Sequence, residues 1–128
     1  MALGCGGTNS LVINSTNGKV ATTVLNEGGT DEAWYNPTAN QYYFARSTAG
    51  KLGVEDAGPP AAAASTNDTT TATGSHSVAA DSNKNLPSNK SQVYVPIRTG
   101  VLSPTATICA SKNGGNNTYG CVAVFDAP

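Results

Sequence analysis

The sequence predicts an all-β fold built from short antiparallel strands grouped into repeated four-stranded sheets. Three observations predict it. No stretch carries apolar residues at helical spacing. One hairpin-like stretch, Gly28 to Ser47 (GGTDEAWYNPTANQYYFARS), returns later in the chain. A four-residue, mostly apolar strand closed by Asp or Asn occurs three times.

Taken in order, residues 1–9 are Gly-rich and without periodicity, and read as a flexible N-terminus. Leu11 to Asn14 is a short apolar strand. Asn17-Gly18 then marks a tight hairpin, because both residues accept the positive φ that such turns require. Lys19 to Leu25 is the returning strand. In the central hairpin, Glu32 to Tyr35 and Gln41 to Arg46 are the strands. Asn36-Pro37 opens the turn, Asn by accepting backbone hydrogen bonds and Pro by presetting φ. Asn40 closes it in a left-handed conformation. Leu52 to Asp56 follows. Residues 58–73 form a low-complexity loop rich in Ala and Thr, with one weak strand at Thr69 to Thr73. Ser77 to Ala80, Gln92 to Ile97 and Val122 to Asp126 complete the series.

The hairpin repeat aligns His76 to Asp81 with Asp31 to Asn36 and Asn85 with Asn40. After an insert at Leu86 to Ser91, Gln92-Val93-Tyr94-Val95 aligns with Gln41-Tyr42-Tyr43-Phe44. The second repeat aligns Ser10 to Ser15, Leu52 to Ala57 and Val122 to Ala127 without gaps. Four short strands recurring at about 40 to 50 residues are the mark of a propeller blade. The expected architecture is therefore about two antiparallel four-stranded propeller blades spanning residues 10–128. Such a piece leaves sheet edges open, so it is either part of a larger propeller or a protomer that closes by assembling.

Composition narrows the function. The 128 residues carry a formal net charge of −1 and only 12% charged residues. No basic patch for nucleic acid is present. No apolar run approaches the roughly 20 residues of a membrane-spanning helix. The four Asn-x-Ser/Thr triplets, at Asn14, Asn67, Asn89 and Asn116, are what so Asn- and Thr-rich a chain produces by composition.

GGTDEAWYNPTANQYYFARS, LGVEDA, GSHSVAAD, QVYVPI and GCVAVFDAP resemble the closing blades of secreted bacterial propellers of the NHL-repeat and YncE-like (YVTN-type) kind. Asp81-Ser82 departs from that pattern by lacking the proline of Asn36-Pro37, and an Ala/Thr-rich tract stands where a fourth strand belongs. The resemblance implies a secreted or periplasmic binding or scaffold domain. In that setting Cys109 and Cys121, which flank a Gly- and Asn-rich turn, are expected to form a disulfide, with Cys5 outside it.

Asp31, Glu32 and His76 begin the two innermost strands, where a propeller channel takes its ligands. They are the ligand-channel candidates, against a plain role in bonding neighbouring backbone. A single histidine leaves no spare base for a catalytic triad, and no G-x-S-x-G is present. Trp34, Tyr35 and Tyr43 head an aromatic cluster expected to pack between blades, with a sugar-stacking platform as the alternative. Asn14, Asp56 and Asp126 recur as turn-closing Asx residues. The leading expectation is a non-enzymatic binding or scaffold module without cofactor or metal. The alternatives are a metal-dependent lactonase-type hydrolase using Asp31 and Glu32, and a structural subunit that self-associates through open sheet edges.

Overall fold

A computed structural model describes residues 1–58, 67–82, 90–97 and 120–127. These residues contain no helix and form ten strands. They are β1 (Ala2–Leu3), β2 (Ser10–Ile13), β3 (Val20–Val24), β4 (Thr30–Asn36), β5 (Gln41–Arg46), β6 (Lys51–Asp56), β7 (Asn67–Thr70), β8 (Ala79–Asp81), β9 (Gln92–Ile97) and β10 (Cys121–Asp126). They pair antiparallel in three meanders, β1-β2-β3, β4-β5-β6-β7 and β8-β9-β10. The all-β, antiparallel reading stands, and the strands of the two sequence repeats are all present. One was not foreseen: β1 lies inside the segment read as flexible, paired to β2 through Leu3↔Leu11. β7 begins two residues before the weak strand expected at Thr69, and β8 begins two residues after Ser77.

The expected turn chemistry is in place. Asn36 Oδ1 accepts from the N–H groups of Thr38 and Ala39 at 3.0 and 3.3 Å. Asn40 has a φ of 53°. In the β2–β3 hairpin only Gly18 takes the positive φ expected of both turn residues, at 69°; Asn17 does not, and its Oδ1 instead accepts from Lys19 N–H. Asn14 closes its turn by accepting from Thr16 N–H, whereas Asp56 accepts from Gln41 Nε2 instead.

The sequence repeat is also a repeat of register. Asn36↔Gln41 and Trp34↔Tyr43 in the second sheet match Asp81↔Gln92 and Ala79↔Tyr94 in the third. Tyr43↔Val54 likewise matches Tyr94↔Val124, and Leu3↔Leu11 in the first sheet matches Phe44↔Gly53. Tyr43 Oη donates to Gln41 Oε1 at 3.0 Å, and Tyr94 Oη to Gln92 Oε1 at 3.1 Å. Ala57 N–H donates to Asn40 C=O, and Ala127 N–H to Ser91 C=O, both at 2.8 Å. Ser91 thus holds the place that the alignment gave to Asn85, which lies outside the described residues, as does Cys109 and with it the expected Cys109–Cys121 bridge. Cys5 is a free thiol.

Alternation sends successive residues to opposite faces, and this places the core. Tyr43, Ala45, Leu52 and Val54 of the second sheet pack with Val93, Val95, Ile97 and Ala123 of the third, and Ala72 and Val78 close the cluster from the connecting segment. Phe44 points the other way, is fully buried, and lies outside that cluster with Val24 and Ser10 of the first sheet. That second interface is polar at its centre. Glu27, fully buried, lies 3.5 Å from Arg46 Nε. Arg46 also reaches Asp68 at 2.8 Å, and Lys51 Nζ reaches the same carboxylate at 2.7 Å. Burial pushes the Asp68 carboxyl up, but the Lys51 and Arg46 contacts more than offset this and hold it below its ordinary value.

Gly53 makes room for Glu27. A Cβ at position 53 would overlap all three atoms of the Glu27 carboxyl group. Gly53→Ala is therefore expected to cost about 1–3 kcal/mol, as overpacking of a filled interior does, read as a lower urea midpoint at unchanged slope. Glu55, buried on the same face, has its carboxyl pushed above the ordinary value by burial first, then by the charges of Asp56 and Glu27. Folding thus favours its protonated form, so its contribution is complete below the ordinary value of 4.5 and is lost as pH rises through the raised one. Glu55→Gln should stabilise the protein at pH 7 and flatten the decline in unfolding free energy that sets in above pH 4.5. An unchanged pH profile would contradict this assignment.

Candidate functional site

β4 is an edge strand of its sheet, and the segment leading into β8 runs beside it. Glu32 Oε2 accepts from Val78 N–H at 3.2 Å. Ser82 Oγ donates to Asn36 Oδ1 at 3.3 Å, and Thr38 Oγ1 to Ser82 C=O at 2.8 Å. β4 and β8 are thereby held side by side at both ends. Asp31 and His76, which occupy the same repeat position, meet through Asp31 Oδ2 and His76 Nδ1. Asp31 reaches it because a β-bulge falls between Thr30 and Glu32; the ladder pairs those two with Arg46 and Ala45 and leaves Asp31 out of register, which turns its side chain.

All three channel candidates are thus brought to one place, with different surroundings. Asp31 and His76 are about half exposed, at 45% and 58% of their side chains. Hydrogen bonds from Ser47 first, then from His76, hold the Asp31 carboxyl below its ordinary value. Ser47, His76 and Asp31 are a serine, a histidine and a carboxylate in contact, but in the wrong order for acyl transfer. In a hydrolytic triad the imidazole bridges the other two and takes the serine proton. Here the carboxylate bridges, so Ser47 faces Asp31 and the imidazole is not held against it. Glu32 is turned to backbone, the plainer of its two expected roles. Among the described residues no three His, Cys, Asp or Glu side chains converge as a metal site would require.

The aromatic cluster divides. Tyr43 is fully buried, in the core between the second and third sheets. Trp34 and Tyr35 are 40% and 44% exposed, which corrects the expectation that Trp34 is buried between sheets. The reason is topological. Both stand on β4, which among the described residues is the edge strand of its sheet and carries cross-strand neighbours on one side only. Tyr35 stacks on Tyr42 with ring centroids 5.1 Å apart at 42°, and its hydroxyl donates to Asn40 Oδ1 at 3.0 Å. These two rings border a groove with Met1, Ala2 and Ala33. Trp34 has no ring partner among the described residues.

Ser47 was missed by sequence reading. Its only signal was its place at the end of the conspicuous hairpin stretch, next to Arg46. No known family model and no curated protein matches the sequence.

The geometry predicts the titration of Asp31. Its carboxyl resonance should titrate below 3.8. Ser47→Ala should raise the midpoint more than His76→Ala, because the Ser47 bond is the larger influence. A larger rise with His76→Ala would reverse the assignment.

Proposed function

We propose that the chain is a binding module built from propeller-type blades, with its recognition surface on the channel-side edge formed by β4 and the segment entering β8. Three meanders of the same register, stacked face to face with their first strands side by side, support the blade reading. The extracellular or periplasmic setting, and the Cys109–Cys121 disulfide with it, belong to the same proposal and rest on the sequence resemblance.

The observation that carries the recognition surface is the exposure of Trp34 on the strand that also presents Asp31 to His76. A half-exposed indole offers a flat, electron-rich face at small entropic cost, and the carboxylate of Asp31, three residues earlier on the same strand, and the imidazole it meets offer hydrogen-bonding groups along the same edge. An apolar face beside directional polar groups suits a neutral saccharide, whose rings have C–H faces and hydroxyl rims. The lactonase reading has less support, because Asp31 and Glu32 point to different partners.

Trp34 is the only tryptophan, so its fluorescence reports on this site alone. Its emission should be red-shifted in the free protein and should shift when neutral hexose oligomers are titrated in. Trp34→Ala should abolish saccharide binding while costing less than the roughly 3–5 kcal/mol of a core aromatic deletion. A blue-shifted maximum in a cooperatively folded sample, or no response to millimolar oligosaccharide, would defeat this reading.

A further inference from the structure

The repeat register assigns an equivalent in one sheet to each residue of another, and among the described residues two sheet faces are left out of the packing. The third sheet presents Ala79, Tyr94, Pro96, Val122 and Val124 on its outer side, with Val122 58% and Val124 50% exposed. By register these are the counterparts of Trp34, Tyr43, Ala45, Leu52 and Val54, the side of the second sheet that carries its core residues toward the third. The first sheet presents Leu3, Leu11 and Ile13 on its outer side, with Leu3 37% exposed. Their counterparts in the third sheet are Val95, Ala123 and Phe125, which belong to or pack against the same core. One free face thus repeats the upper half of an interface that the molecule already makes, and the other free face repeats the lower half.

We propose that the outer face of the first sheet packs on the outer face of the third sheet of a second copy of this chain. The proposal rests on the blade reading above. The contact continues the stacking of the second sheet on the third, and it is heterologous, since two different faces meet. Two copies that make it in both directions form a closed dimer of six sheets, a number within the four to eight blades at which propellers close. The partner is a second copy rather than an unrelated protein because the two faces are matched to each other position by position. In the internal interface Val54 and Phe125 line the same cleft, so Val124 of one copy meets Ile13 of the other.

Light scattering on the full chain tests this. Wild type should have the mass of a dimer. Val124→Glu and Ile13→Lys should each be monomeric alone, with association weakened roughly 100-fold or more by the buried unpaired charge. An equimolar mixture of the two should return to a dimer, because it holds one wild-type contact and one Glu–Lys contact. Circular dichroism melts check that each variant folds, and Val122→Glu with Leu3→Lys is a second pair built on Leu52 and Val95. A monomeric wild type, a single variant that stays dimeric, or a mixture that stays monomeric overturns the proposal. Saccharide titration of a monomeric variant reads the Trp34 site independently of assembly, so the two readings fail separately.

Discussion

A slip of one residue in any hairpin would turn every core side chain of that strand to the opposite face, so the whole molecule depends on what fixes register. Two devices are used twice. The first is the bond from a tyrosine hydroxyl to the glutamine two residues earlier, Tyr43 to Gln41 and Tyr94 to Gln92, which ties same-face neighbours at the start of each second strand. The second is the backbone bond from Ala57 to Asn40 and from Ala127 to Ser91, which ties the end of each third strand to the residue before the second. In the central hairpin Asn36 adds a turn that allows one loop length. With register set, alternation alone delivers Leu52 and Val54 to one interface and Phe44, Arg46 and Glu55 to the other.

The two internal interfaces occupy the same repeat positions with opposite chemistry. Where the interface of the first and second sheets has Glu27, Arg46, Gly53 and Glu55, that of the second and third has Ala72, Ile97, Ala123 and Phe125. The connecting segments correspond as well: Gly29 and Gly74 both have positive φ, at 69° and 84°, and Glu27 and Ala72 both have their carbonyls bonded by the residue three positions on. A buried ion pair of this kind is weak evidence for stability, because desolvation of both charges offsets most of their attraction. The apolar interface is the natural source of the molecule's cohesion.

Much of this was legible in the sequence. Asn36-Pro37, Asn40 and Gly18 specify their turns by local chemistry, and the alignment of Gln92-Val93-Tyr94 on Gln41-Tyr42-Tyr43 predicts the shared register. The site was legible only as a list. Repeat position put Asp31 level with His76, but the bulge that turns Asp31 outward leaves no trace in residue types, and nothing marked Ser47 as its partner. Trp34 was misplaced because an aromatic cluster looks the same whether its strand is central or at an edge; burial depends on what lies beyond the strand. β1 was missed because two residues in a Gly-rich segment have no period to detect. Gly53 was the overlooked signal, since a glycine inside a strand often marks the close approach of another group. That group is Glu27.

The contact between Glu27 and Gly53 also acts as a key. If the third sheet were presented to Glu27 in place of the second, the carboxylate would meet the methyl group of Ala123 where Gly53 leaves space, and Ile97 where Arg46 supplies a charge. It would be stranded in an apolar site at a cost of several kcal/mol. Three sheets of the same pattern and register could otherwise exchange places during folding. A single glutamate that tolerates only one neighbour thus distinguishes the second sheet from the third as the layer that stacks on the first.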